Sequence, residues 1–132
     1  SHPYLVTPEH TAVAREALGP DRLVLPEQAV VLETDPDRAR TLARAHLATY
    51  LGLPNYANNW KRFGFTDDDT ADGGTDRLVD ALVAWGDEAT IAARVAEHHA
   101  AGADHVCVQV IIEDQMSPPL DEWRRLAPAL LR

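Results

Sequence analysis

Three apolar, β-branched runs in this chain end in a polar cap and pass at once into a stretch with helical spacing. They are Tyr4-Leu5-Val6 before Thr7-Pro8-Glu9, Ala29-Val30-Val31-Leu32 before Thr34-Asp35-Pro36-Asp37, and residues 106–112 before Ser117-Pro118-Pro119. A weaker fourth copy is Leu82-Val83-Ala84-Trp85 before Gly86-Asp87-Glu88. In each, Thr, Asp or Ser can accept from the free amides of a helix start. Where Pro follows at or near the first helical position, its missing N–H is one that no carbonyl would have met. Strands that alternate with helices pair in parallel and are covered by those helices. The pattern predicts an α/β fold.

The first helix is expected over 8–18, with Ala12, Ala14 and Leu18 inward and Gly19-Pro20 stopping it. A second strand over 28–33 leads to a helix over 36–51 that gathers Ala39, Leu42, Ala43, Ala45, His46, Leu47 and Tyr50 near one face and ends at Gly52. Residues 51–65 are aromatic and amide-rich and are broken by Pro54 and Gly64, which reads as a loop with a short helix inserted between core units. Thr66 to Asp69 form a capping-box start with Asp in place of Glu, and Thr75 caps a helix over 76–83. A helix over 87–101 carries Ile91, Ala92, Val95 and His99 at helical spacing, and Gly102 closes it. The last helix, over 120–131, is expected to bury Trp123, Leu126, Leu130 and Leu131.

Ligands of parallel α/β proteins sit beyond the carboxyl ends of the strands, and alternation selects the side chains that face them. On the last strand Val106, Val108, Val110 and Ile112 make a β-branched face suited to helices, which leaves His105, Cys107, Gln109 and Ile111 on the other. On the second, Val30 and Leu32 face helices, while Ala29, Val31 and Glu33 face away from them. With Leu5 outward, the first strand turns His2, Tyr4 and Val6 inward. His2, Tyr4, Glu33 and Gln109 thus form the candidate site, and Thr7 with the amides of the helix from Pro8 is open to an anion. The plainer alternative is that Glu33 and Gln109 serve only the core. The stretch Asn55-Tyr-Ala-Asn-Asn-Trp60 is either a substrate lid or a packed insertion and subunit contact.

The chain is 132 residues long, 45% hydrophobic and 25% charged, which suits one domain with a core. No apolar run approaches the roughly 20 residues of a bilayer span and no signal peptide opens the chain, so the cytoplasm is the default expectation. The net charge of -9 and the scatter of the arginines argue against nucleic acid. The single cysteine, Cys107, reads as a small buried residue of the last strand. The acidic stretch 66–76 fails as a calcium loop, because the frame opened by Asp68, Thr70, Asp72 and Gly73 puts Val79 where glutamate is required. His98 and His99 are adjacent and point to different sides of their helix, so no metal is expected. Glu9-His10 can do acid-base work, although a first-turn glutamate also suits the helix dipole. Gly-rich phosphate loops and a nucleophile elbow are absent from the sequence.

The run from Trp85-Gly-Asp-Glu through Ile91-Ala-Ala-Arg-Val95 and Ala101-Gly-Ala-Asp104 to Gln109 resembles the closing helix and last strand of bacterial luciferase-like monooxygenases. His2-Pro-Tyr-Leu-Val-Thr-Pro-Glu-His-Thr11, Pro26-Glu-Gln-Ala-Val-Val-Leu-Glu-Thr-Asp-Pro36, Leu51-Gly-Leu-Pro-Asn-Tyr56 and Asn58-Asn-Trp60 resemble the actinobacterial subgroup that depends on deazaflavin coenzyme F-420. The resemblance implies a partial TIM (β/α)8 barrel spanning residues 1–132. It comprises about the last three β/α units, with a helical insertion at about 52–76.

It further implies an oxidoreductase acting by hydride transfer or monooxygenation on a small organic substrate, with deazaflavin F-420 or, alternatively, FMN as cofactor. His2, Tyr4, Glu33 and Gln109 would line the pocket wall, Thr7 and His10 its mouth, and Asn55, Asn59 and Trp60 a lid. Because a closed barrel needs about 250 residues, the chain is expected to be a portion that is inactive alone. Its open face would be covered by a missing N-terminal half or by a second copy in a homo-oligomer. The alternative is a non-catalytic half-barrel that serves as an oligomerisation or adaptor module.

Overall fold

A computed structural model describes residues 1–114 and 116–131. Its centre is an open, parallel, three-stranded sheet of β1 (Glu27–Val31), β2 (Val83–Trp85) and β3 (Cys107–Val110), in the order β2-β1-β3. Ala29 pairs with Val83 on one side and with Gln109 on the other, so β1 is fully flanked and all five of its residues are buried. Seven α-helices surround the sheet among the described residues: α1 (Pro8–Leu18), α2 (Pro36–Leu51), α3 (Pro54–Arg62), α4 (Asp67–Thr70), α5 (Asp76–Leu82), α6 (Glu88–Ala100) and α7 (Leu120–Leu130). None of the helices is long and apolar enough to cross a membrane.

Some of the caps read from the sequence form, whereas Thr7 makes no side-chain cap bond and Ser117 bonds Asp114 instead of capping α7. Asp35 accepts from the Arg38 amide at 2.9 Å, Asp87 from the Thr90 amide at 2.8 Å, and Thr75 from the Leu78 amide at 3.3 Å. Asp69 completes the capping box of α4 by accepting from the Thr66 amide at 2.9 Å.

Alternation along β1 divides the core into two layers. Ala29 and Val31 pack with Ala43 and Leu47 of α2, Trp60 of α3 and Leu78 of α5. Val30 packs the other way, with Ile91 of α6 and Leu126 of α7, and Val108, Val110 and Leu32 join it. The helix-facing assignment of Val30, Leu32, Val108 and Val110 therefore holds. The opposite face, expected to look into a barrel, carries helices of this chain instead and is closed to water: Ala29, Val31 and Val83 are at most 1% exposed.

The first expected strand does not form. Backbone amides of Leu25 and Glu27 donate to the carbonyls of Ser1 and Pro3 at 2.8 and 2.9 Å, so the chain begins as a neighbour of β1. Glu27, Ala29 and Val31 point to one side of β1, and Cys107 and Ile111 donate to Pro26 and Val30 on the other. Residues 1–3 and β2 consequently lie end to end along the same side of β1. The place that Tyr4-Leu5-Val6 would have taken is held by β2, and the chain turns away at Leu5, whose φ is +51°. That left-handed backbone costs a non-glycine residue about 1 kcal/mol, and two bonds hold it. The Leu5 amide donates to Glu27 Oε2 at 3.2 Å and its carbonyl accepts from Trp60 Nε1 at 2.9 Å. Leu5, expected outward, is thereby 1% exposed in the core.

Other burial assignments shift with packing. In α1 only Thr11 is buried, while Ala12 and Leu18 are exposed, because this helix leans on α6 through a polar contact. Ala45 of α2 is exposed. On α6 the buried histidine is His98, seven residues after Ile91, and His99 faces water. Cys107, on the edge strand β3, is exposed rather than buried. On α7 only Leu126 is buried, and Trp123 and Leu131 are 48% and 82% exposed.

Candidate functional site

Of the expected site residues, the structure joins Tyr4, Trp60 and Gln109 and adds three that sequence reasoning did not assign to the site. The Tyr4 hydroxyl donates to Gln109 Oε1 at 2.9 Å and lies 3.3 Å from His46 Nε2. It also accepts from the Tyr50 hydroxyl at 3.4 Å. Tyr4, Tyr50 and Tyr56 form a tilted aromatic nest with ring centroids 5.1 to 6.5 Å apart, and Trp60 closes it at 5.9 Å from Tyr56. His46 and Tyr50 stand on α2, Tyr56 on α3, and Gln109 on the edge strand β3. The helical spacing of His46 and Tyr50 was visible in the sequence. Their convergence on Tyr4 was not, since it depends on how α2 crosses the sheet.

A recess of about 150 Å³ opens beside this group, lined by His46, Gln109, Ile111, Ile112, Ser117 and Pro119. Tyr4 holds the Gln109 amide by its oxygen, and Gln109 Nε2 has no partner among the described residues. Burial lowers the proton affinity of His46, so its imidazole is neutral at pH 7. Burial also raises that of Tyr4, helped by the Tyr50 hydrogen bond and the Glu27 charge, so it stays a phenol. The corner therefore offers neutral hydrogen-bonding groups and aromatic faces rather than an activated nucleophile.

The remaining candidates lie elsewhere. Glu33 sits at the amino terminus of α2 and is satisfied there: its Oε1 accepts from the Thr34 and Asp35 amides at 2.8 and 3.0 Å, and Arg38 Nε is 3.3 Å from its Oε2. It borders a separate recess of about 140 Å³ that Glu113 and Glu122 also line. This is the carboxyl-end position between β1 and β3 where open parallel sheets bind ligands, yet here the side chain of Glu33 occupies the helix start. His2 is exposed and its Nδ1 is 2.5 Å from the Leu25 carbonyl.

Thr7 is the N-cap of α1, but its side chain makes no cap bond. Glu9, Glu97 and Arg94 share its surroundings, and Arg94 is tied to Glu97 at 2.9 Å, so the net charge there is negative and disfavours the anion expected there. His10 packs against Phe63 at 5.5 Å, and burial lowers its proton affinity. Asn55 is exposed and Asn59 half-buried on α3. Trp60, expected in a lid, is 1% exposed and belongs to the core.

The recess beside the Tyr4 corner presents the Gln109 amide and the His46 imidazole on an otherwise largely aliphatic lining, while the tyrosine rings pack behind it. These two groups can meet the C=O and N–H edge of a planar cofactor ring. Among the described residues no arginine or lysine lines the recess. No family model matches the chain, and no curated protein and no solved structure matches it.

Proposed function

We propose that this chain forms part of a parallel α/β oxidoreductase related to the luciferase-like monooxygenases, and that its Tyr4–His46–Gln109 corner lines the pocket for deazaflavin coenzyme F-420 or FMN. The observation that carries this reading is the Gln109 amide, which lines the recess, is fixed at its oxygen by Tyr4, and has no partner for Nε2 among the described residues. A barrel relationship is supported by the order of the three main segments, since residues 1–3, β1 and β3 are successive neighbours. β2 then prolongs the first of them. Bound at the corner, the cofactor would supply hydride transfer to or from a small organic substrate. Gln109 and Tyr4 would orient the ring edge, and neutral His46 would hold a proton acceptor beside it.

Fluorescence titration of the chain with coenzyme F-420 and with FMN tests the reading. Saturable binding of one of them is expected, weakened about fivefold by Gln109→Leu, which removes one hydrogen bond worth on the order of 1 kcal/mol. Binding of neither, or binding indifferent to Gln109→Leu, refutes it. A second reading, a non-catalytic module, is favoured by one specific observation: helices of this chain already cover both faces of the sheet.

A further inference from the structure

Residues 1–5 form a strap along the start of β1, and the way it is fastened calls for a proton. The Ser1 amino group donates to the Leu23 carbonyl at 2.7 Å, and the amides of Leu25 and Glu27 donate back to Ser1 and Pro3. The strap ends in the left-handed turn at Leu5, whose amide meets Glu27 Oε2 and whose carbonyl meets Trp60 Nε1. Oε1 of the same carboxyl group is buried without a hydrogen-bond partner among the described residues. A neutral carboxyl group tolerates that setting far better than a carboxylate, whose second oxygen would be charged, dry and unpaired.

The titratable groups on the surrounding elements supply no counter-charge. On the strap, the Ser1 amino group and His2 are exposed and bonded to the Leu23 and Leu25 carbonyls, and Tyr4 stays a phenol. Burial keeps His46 of α2 and His10 of α1 neutral, and Tyr50 of α2 bonds Tyr4. Lys61 of α3 is paired with Asp67 at 2.6 Å, and Cys107 of β3, beside Glu27 in register, is a thiol exposed to solvent. An ionised Glu27 is therefore relieved by water. Opening the strap admits water and releases the strained Leu5 backbone, while the ladder between β1 and β3 stays paired.

We propose that residues 1–5 are a pH-sensitive latch on β1, held closed over a protonated Glu27 and opened far more often once that carboxyl group ionises. Tyr4 travels with the strap, so each opening also withdraws its hydroxyl from Gln109. The latch does not depend on what the Tyr4 corner binds.

Amide hydrogen exchange of the whole chain by NMR, at about pH 5.5 and about pH 8 and corrected for intrinsic base catalysis, tests the latch. With the Glu27 pKa moved from 4.5 to about 7, opening at the Leu5, Leu25 and Glu27 amides should become roughly thirtyfold more frequent over that interval. Low urea should leave this exchange unchanged, because a local opening exposes little surface, whereas the Ile111 amide should be better protected and respond to urea. Glu27→Gln should abolish the pH response of the strap amides. Should that variant fail to fold, the carboxyl carbon shift of Glu27 in the wild type serves instead: its midpoint should coincide with that of strap exchange. Equal strap protection at both pH values, strap exchange that occurs only with the urea-dependent opening of Ile111, a pH response retained in Glu27→Gln, or a carboxyl midpoint apart from that of strap exchange overturns the proposal.

Discussion

Glu27 offers a quantitative handle on how this fold is held together. Its carboxyl group is 3% exposed at the start of β1; Oε2 accepts from the Leu5 amide at 3.2 Å, and Oε1 meets no partner among the described residues. Burial outweighs the single amide bond and lifts its pKa from 4.5 to about 7. The folded protein therefore keeps a proton that the unfolded chain releases above its ordinary pKa. The contribution from this group is fully present below pH 4.5 and is lost as pH rises to about 7.

At about 1.4 kcal/mol per pH unit, the loss comes to roughly 3 kcal/mol at pH 8.5. Glu27→Gln keeps the shape and an acceptor for Leu5 but cannot ionise. It should match the wild type in urea unfolding at pH 4.5, followed by tryptophan fluorescence, and exceed it by up to about 3 kcal/mol at pH 8.5. Histidines that titrate in the interval are common to both proteins and cancel in the difference. A variant that gains nothing at pH 8.5 relative to pH 4.5 refutes the reasoning.

His98 should show the opposite slope. It is fully buried between Thr11 Oγ1 at 2.9 Å and Gln28 Oε1 at 3.0 Å, and burial first, then Arg94, depresses its pKa from 6.5 to about 4. The His98 contribution to stability should fall by up to about 3 kcal/mol as pH drops through that interval, and the difference between wild type and His98→Gln in the same urea series should show that slope, with the Glu27 contribution common to both. Trp60→Phe deletes the indole bond to the Leu5 carbonyl and leaves a cavity, and chemical denaturation should register a cost of about 2–4 kcal/mol. Tyr4→Phe frees the Gln109 oxygen and should weaken cofactor binding in the fluorescence titration by several-fold, with little change in the melting temperature.

Local chemistry was legible in the sequence wherever a residue acts on its own turn or strand. The bounds of α2, the Asp35, Thr75 and Asp87 caps and the two faces of β1 follow from spacing and side-chain chemistry alone. What escaped is non-local. Nothing near Leu5 announces that β2, nearly 80 residues later, will take its place beside β1, nor that Glu27 and Trp60 will hold its strained backbone. Periodicity on α6 cannot separate His98 from His99 without knowing that Thr11 and Gln28 await the former. Cys107 and Trp123 read as core residues because their types and spacing suit one, and only the sheet order reveals that their side of the molecule stays bare. The site was found in part for the same reason: Tyr4 and Gln109 followed from strand alternation, whereas His46 and Tyr50 join them through the crossing of a helix.

The most direct test of the ligand site is a chemical-shift map of the chain during addition of coenzyme F-420 or FMN. The account predicts the largest shifts at the Gln109 side-chain amide and at the rings of Tyr4, His46 and Tyr50. Shifts confined to the recess around Glu33 and Arg38, or none anywhere at saturating ligand, would contradict it.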